Sequence, residues 1–185
     1  VLVLRPGAWI LCHRVDVGPL LGGDLVRFLY LDESGFSNPA QEPFAVVAGP
    51  LVHGDRDMHR VERALSVIKK LSGADNPDEV NLHAMHIWHG SPPWHREKFS
   101  VIERVGIIAK ITGICDEFSI PVSMGFVDRA ELAILHPEVT GEALEIFTYC
   151  VAAGQCITAA DHWLRNYVKG PAENAIVIAE DRQKV

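Results

Sequence analysis

Arg27-Phe28-Leu29-Tyr30-Leu31-Asp32-Glu33-Ser34-Gly35 is the stretch from which the rest of the chain can be read. Phe28 to Leu31 is a short apolar, aromatic-rich run that ends in two adjacent carboxylates. Ser34-Gly35-Phe36-Ser37-Asn38-Pro39 follows, rich in the residues that make turns. Phe44 to Val52 is a second apolar run, and the two together predict a β-hairpin with a long connection. Further along, Met58, Val61, Leu65 and Ile68 recur at helical spacing and predict a helix from about Asp55 to Leu71. Asn76-Pro77-Asp78 breaks the chain, and Glu79 to His83 reads as a short strand.

After Pro92-Pro93, the residues Val101, Val105, Ile108, Ile111 and Cys115 mark one helix face. Ile120, Val122, Met124 and Phe126 alternate with polar or small residues, the period of a half-buried strand. A long helix is predicted from about Thr140 to Val168, apolar on most sides and therefore packed against a sheet. Gly170-Pro171 ends it. Ala175 to Ala179 is apolar without alternation, the pattern of a central strand covered on both faces. A hairpin followed by helices alternating with strands gives the fold class: α/β, a mixed sheet flanked by helices.

With 185 residues the chain has the length of one domain, with room for an appendage. The apolar fraction of 48% and charged fraction of 22% are those of a globular protein and exclude the disordered class. A chain this long buries roughly 70% of its unfolded surface, so no disulfide or metal staple is required. No run approaches the ~20 uninterrupted apolar residues of a membrane span, so no membrane partner is expected. Residues 1–25 carry glycine, proline and scattered charge without a sustained period and read as a loosely ordered leader. Residues 26–185 read as the domain itself. The chain starts with Val1 and stops at Val185 directly after a strand-like run, so the expected domain is incomplete at its C-terminus. The four cysteines, Cys12, Cys115, Cys150 and Cys156, form no C-x-x-C pair, and a reducing cytoplasm is the expected compartment. Nothing in the sequence bears on oligomeric state. The net charge of −7 argues against indiscriminate nucleic-acid binding, which draws its affinity from neutralising phosphates. Contact with nucleic acid would need a local patch or a bridging metal ion.

Three features carry candidate chemistry. The first is Asp32-Glu33 at the end of the first apolar run. Crowded carboxylates repel one another unless a cation or hydrogen-bond donors compensate, and Mg²⁺ suits hard oxygen ligands. Alternation puts Asp32 on the face of Phe28 and Tyr30 and Glu33 on the other, which makes Asp32 the better ligand. The competing account is turn chemistry, with Asp32 hydrogen-bonded to its own backbone. The second feature is Glu180-Asp181, which repeats the pattern after Ala175 to Ala179. Were the two strands sheet neighbours, their ends would bring carboxylates to a shared site, and two-metal sites hold ions ~3.5–4 Å apart. Its competitor is a charged cap at a strand end. The third is the histidine-rich Asn81-Leu82-His83-Ala84-Met85-His86-Ile87-Trp88-His89, followed by His95. Zinc on His83, His86 and His89 is one reading, although the i, i+4 pair of H-E-x-x-H is missing. A single histidine beside the acidic cluster, as ligand or proton carrier, is the other. Trp88 and Trp94 flank this stretch as base-stacking or core residues. The phosphate-loop, nucleophile-elbow and dinucleotide fingerprints are all missing.

Tyr30-Leu31-Asp32-Glu33-Ser34-Gly35, Phe44 to Gly49, Asn81-Leu82-His83-Ala84 and Ile176 to Asp181 together resemble the bacterial and phage family called domain of unknown function 3800. The resemblance covers residues 27–185 and implies a ribonuclease H-like fold, whose members place acidic residues at strand ends around divalent cations. It matches Asp32 and Glu33 to the first acidic motif, His83 to the family histidine, and Glu180 or Asp181 to the later acidic position. That last strand position is often Asp in the family, whereas Glu180 stands there in this chain. The family brings no established activity. The expectation is a nuclease or phosphodiesterase dependent on Mg²⁺ or Mn²⁺, with Asp32, Glu180 and Asp181 as metal ligands, Glu33 and His83 assisting, and nucleic acid as substrate. The alternative is a non-catalytic partner module of a phage-defence or mobile-element system.

Overall fold

A computed structural model describes residues 2–5, 8–12, 26–168 and 173–180; for 2–5, 8–12 and Glu180 it gives the backbone path. The first apolar run becomes strand β3, Val26–Ser34, and the second becomes β4, Phe44–His53. They pair antiparallel, with Phe28 opposite Val52 and Asp32 opposite Ala48. Strand β5, Val122–Asp128, continues the antiparallel meander beside β4. Strand β6, Asn174–Glu180, lies on the other side of β3 and runs parallel to it. Two further strands, β1 (Leu2–Arg5) and β2 (Ala8–Cys12), form a hairpin that pairs with the remaining edge of β6. The sheet order is β1-β2-β6-β3-β4-β5, a mixed α/β sheet.

Strands β1 and β2 occupy two stretches of the region expected as a loosely ordered leader over 1–25, of which 13–25 lie outside the described residues. Arg5-Pro6-Gly7-Ala8 carries turn chemistry between two short apolar runs, and β6 would otherwise expose an unpaired row of backbone groups. β6 therefore holds the interior place expected of it. Val177 is buried, while Ile176 and Ile178 are half-buried.

One face of the sheet packs on helix α5, Gly141–Tyr167, the long helix expected from the sequence. The core there combines Leu29, Leu31, Val47, Leu51, Val127 and Val177 of the strands with Ala152, Ala153, Cys156 and Ala160 of the helix. Small residues let helix and sheet approach closely. Gly125 is the extreme case: a Cβ there would meet the Ala152 carbonyl oxygen at 2.0 Å. The Ser123 hydroxyl donates to the Cys156 carbonyl in the same seam. By length and composition α5 also passes as a membrane-crossing helix; its small-residue face lies on the sheet, and 28% of its apolar window is buried. A short helix α4, Arg129–Leu135, precedes it, capped by Asp128, whose carboxylate accepts from the Ala130 and Glu131 N–H groups.

The chain divides into two compact units, residues 1–54 with 121–185, and residues 55–120. The single domain expected over 26–185 is thus interrupted between β4 and β5. The interruption starts and ends at neighbouring points of the sheet: the Leu51 N–H donates to the Pro121 carbonyl at 2.8 Å. The second unit holds α1 (Gly54–Lys70), a one-turn 3-10 helix at Pro77–Glu79, α2 (Ala84–His89) and α3 (Val101–Glu117). It has its own core of Ile68, Val80, Ile87, Trp94, Ile107 and Ile114. The strand expected at Glu79 to His83 is not formed. Asn76 caps the 3-10 turn by accepting from the Asp78 N–H, and the chain then passes directly into α2.

Candidate functional site

The two acidic strand ends come together at the backbone level. β3 and β6 are hydrogen-bonded neighbours, in register from Val26 opposite Asn174 to Leu31 opposite Ala179. The next residues in each strand are Asp32 and Glu180, so these two positions are level at the same end of adjacent parallel strands. Glu180 is also paired with Ala8 across its other edge. Asp181 lies outside the described residues.

Asp32 is exposed, on the sheet face of Phe28 and Tyr30, as alternation predicts. Its Oδ1 accepts the Glu33 N–H at 2.9 Å, which is the local hydrogen bond of the turn account. Among the described residues Asp32 makes no other polar contact. Glu33 points to the opposite face, half-buried, level with the buried Val47. The row through Asp32 runs across Ala48 to Met124, and the next across Ser34 and Val46 to Phe126. Met124 and Phe126 are each 57% exposed, so Asp32 stands at the border of an open apolar sheet face.

The turn after the carboxylates is rigidly made. Gly35 has φ of +82°, and a Cβ there would lie 2.0 Å from the Phe44 carbonyl oxygen, so only glycine lets β3 end at this point. Arg129, buried at the start of α4, donates through Nη1 to the Gly35 carbonyl at 2.8 Å, and its N–H donates to the Pro43 carbonyl at 3.0 Å. This arginine was not singled out in the sequence. The signal that finds it is Asp128-x-x-Glu131, a helix-start pattern that places Arg129 in the first turn.

The opposite end of β3 holds a buried ionic cluster, also not anticipated. The Arg27 guanidinium bonds the Glu173 carboxylate through Nε and the Leu51 carbonyl through Nη1 at 3.4 Å. It also lies 5.0 Å from the centroid of the Trp163 ring. His53 Nε2 is 3.9 Å from the second Glu173 oxygen. The three side chains are 4%, 7% and 9% exposed, so this is an interior cluster.

His83 stands in the second unit, as the residue capping α2, with its N–H donating to Asn81 Oδ1 at 2.9 Å. Its ring centre is 4.9 Å from that of His86, and both are exposed. His89 ends the same helix. Among the described residues no group of three or more His, Cys, Asp or Glu side chains converges on a metal position. The flanking tryptophans part company: Trp88 is exposed, and Trp94 is fully buried against Phe99. Asp32 does not line the first unit's cavity of about 380 Å³, which is bounded by Pro43, Arg129 and Leu144, nor the one of about 310 Å³ beneath α5 beside Leu164 and Glu173. In the second unit a cavity of about 620 Å³ lies between α1 and α3, lined by Arg63, Val67, Lys110 and Phe118.

Comparison with protein-family models finds no match to this chain, and none is found among curated proteins or solved structures.

Proposed function

We propose that the level ends of β3 and β6 form a divalent-metal site for phosphodiester hydrolysis, in a ribonuclease H-like arrangement. The observation that carries this reading is the parallel register: Leu31 opposite Ala179 sets Asp32 beside Glu180. Adjacent strands lie about 4.8 Å apart, a separation that two carboxylates can bridge to one Mg²⁺ or Mn²⁺, and that ion tolerates open coordination positions for water and a phosphate oxygen. Asp32, which is exposed, holds the metal, and Glu180 or Asp181 completes the set. Glu33, on the far face of β3, acts from outside the inner ligand set. When bound, the ion supplies a hydroxide nucleophile and offsets charge at the transition state. The carboxylates themselves hold the ion in place, and without it they would repel the phosphate, which accords with the net charge of −7. Nucleic acid is the proposed substrate, and the open face bordered by Asp32 offers apolar area for unpaired bases.

The test is calorimetric titration with Mn²⁺, then cleavage assays on single- and double-stranded DNA and RNA with Mg²⁺ and with Mn²⁺. We expect Asp32→Asn to abolish metal binding and to lower cleavage by roughly a hundredfold or more, the scale on which removal of a key electrostatic group acts. Cleavage that survives Asp32→Asn overturns the assignment. One observation favours a second reading. The Asp32–Glu33 hydrogen bond gives the carboxylate a purely structural task, as in a non-catalytic module of a phage-defence or mobile-element system. Failure to bind either metal at millimolar concentration selects that module.

A further inference from the structure

We infer that the groove between α1 and α3 is a binding site for a single-chain amphiphile, an alkyl chain ending in one carboxylate, as in a fatty acid. The groove lies wholly within the second unit and involves neither Asp32 nor Glu180, so the inference stands apart from the metal-site reading. Its shape follows from the two helices. Arg60, Arg63 and Val67 on α1, and Lys110, Ile114 and Glu117 on α3, recur at helical spacing, so each helix turns one face to the cavity. The Arg60 guanidinium lies 4.2 Å from the centre of the Phe118 ring, which sets the first half of α1 against the end of α3. The cavity between them measures about 620 Å³, within the range of roughly 300–1,000 Å³ typical of small-ligand sites. Its floor is apolar. Ile68 and Ile114 belong to the core of this unit, Phe118 packs against that core, and Val67 is 57% exposed. On the cavity wall, a Cβ at Gly113 would meet nothing within 4 Å.

The charge around this cavity is the reverse of the chain's own. The net charge is −7, yet Arg60, Arg63 and Lys110 line the cavity against the single carboxylate of Glu117. Arg60 is partly satisfied: its Nη1 is 3.5 Å from the buried Asp57 carboxylate, which Arg56 also holds through two hydrogen bonds. Arg63 and Lys110 are not. Arg63 Nη2 donates to the His59 ring at 3.1 Å, and neither Arg63 nor Lys110 forms an ion pair among the described residues. Two cations without a counter-charge around an apolar cavity complement an anionic head on an apolar body. The lining also selects the body. Among the described residues no Ser, Thr, Asn, Gln or Tyr lines this cavity, so sugar hydroxyls or the edge of a nucleobase would be buried short of neutral partners, at a cost. An alkyl chain makes no such demand. Arg63 supplies the planar fork that suits a carboxylate, and Lys110 a second point charge.

The experiment titrates decanoate, below its micelle concentration, into the isotope-labelled full chain and follows the backbone amide resonances. Saturable binding is expected, with the largest shifts in α1 and α3 and small ones in the sheet. Decanol carries the same chain without the charge and is expected to bind at least about tenfold more weakly. Arg63→Gln/Lys110→Gln, at two exposed positions, is expected to bring decanoate down to the affinity of decanol. Gly113→Leu fills the cavity and keeps every charge. It is expected to weaken decanoate by about tenfold or more without lowering the melting temperature, since its Cβ enters open space and leucine is the better helix former. Decanol binding as tightly as decanoate overturns the anionic head. Decanoate binding untouched by Gly113→Leu overturns the cavity as its place. No saturable binding, or shifts spread evenly over both units, overturns the site altogether. If Gly113→Leu fails to fold, Val67→Glu sets a carboxylate at the exposed wall of the groove and carries the same expectation for decanoate.

Discussion

Glu103 closes a capping box at the start of α3: the Ser100 hydroxyl and backbone N–H both donate to its carboxylate, and Ser100 Oγ accepts the Glu103 N–H. The Ser100 hydroxyl first, and the Ser100 backbone second, hold the Glu103 carboxyl below its ordinary range. A folded-state value below the unfolded one gives stabilisation that is present above the ordinary glutamate value and is lost as pH falls through the folded one. Ser100→Ala is therefore expected to lower the melting temperature at neutral pH, with a deficit that shrinks in acid; thermal melts across the carboxylate range check it. At this scale the sequence was informative where a residue's type and its neighbours define its task. Asp32 at the end of an apolar run is such a case. Arg27 and Glu173 are the opposite case. A basic residue before a strand and a glutamate before another read as solvated charges, and only their meeting across the parallel pair, far apart in sequence, reveals the buried ion pair. Arg129 was hidden in the same way, its partner being the Gly35 carbonyl.

Among the elements, the seam between β5 and α5 is the tightest contact. Gly125 faces not only the Ala152 carbonyl but also the Cys156 nitrogen, which a Cβ would approach to 2.8 Å. Both are backbone atoms that cannot rotate away. Gly125→Ala is expected to destabilise the protein by on the order of 3 kcal/mol through overpacking. Gly154, on α5 itself, has open space where a Cβ would go. Gly154→Ala is expected to be neutral or to add about 0.5–1 kcal/mol by removing backbone freedom from a helix interior. Urea denaturation of the two variants side by side measures the contrast. Long periodic elements were legible for a simple reason: α1, α3 and α5 each contain enough turns for the apolar spacing to repeat. The six and seven residues of α2 and α4 offer too few turns, and the 3-10 turn at Pro77–Glu79 offers fewer still. The alternation of β5 was readable, but which face lies under a helix was not. The partner face is chosen by α5, whose small residues Ala152, Ala153 and Cys156 fit the seam.

At the scale of the whole molecule, the two units have separate apolar cores, which predicts separable stability. Ile87 is fully buried in the core of the second unit, so Ile87→Ala is expected to cost that unit about 2–5 kcal/mol through lost burial and a residual cavity. Amide hydrogen exchange should accelerate across α1 to α3, while β3, β4 and β6 keep their protection; uniform acceleration across both units would show that they open together. Neither boundary was visible in the sequence, because no linker composition marks Gly54 or Pro121 and both cores draw on the same aliphatic residues. The sheet's strand directions were only partly legible as well, since parallel pairing of β3 with β6 joins segments separated by most of the chain. The single hydrogen bond from Leu51 to Pro121 has a further consequence. The chain departs for its helices and comes back at adjoining rungs, so a tight hairpin would bridge β4 to β5 equally well. The helical excursion therefore enters and leaves the sheet without costing the β4–β5 ladder a rung, and replacing residues 55–120 with a short turn is expected to leave that pairing in place.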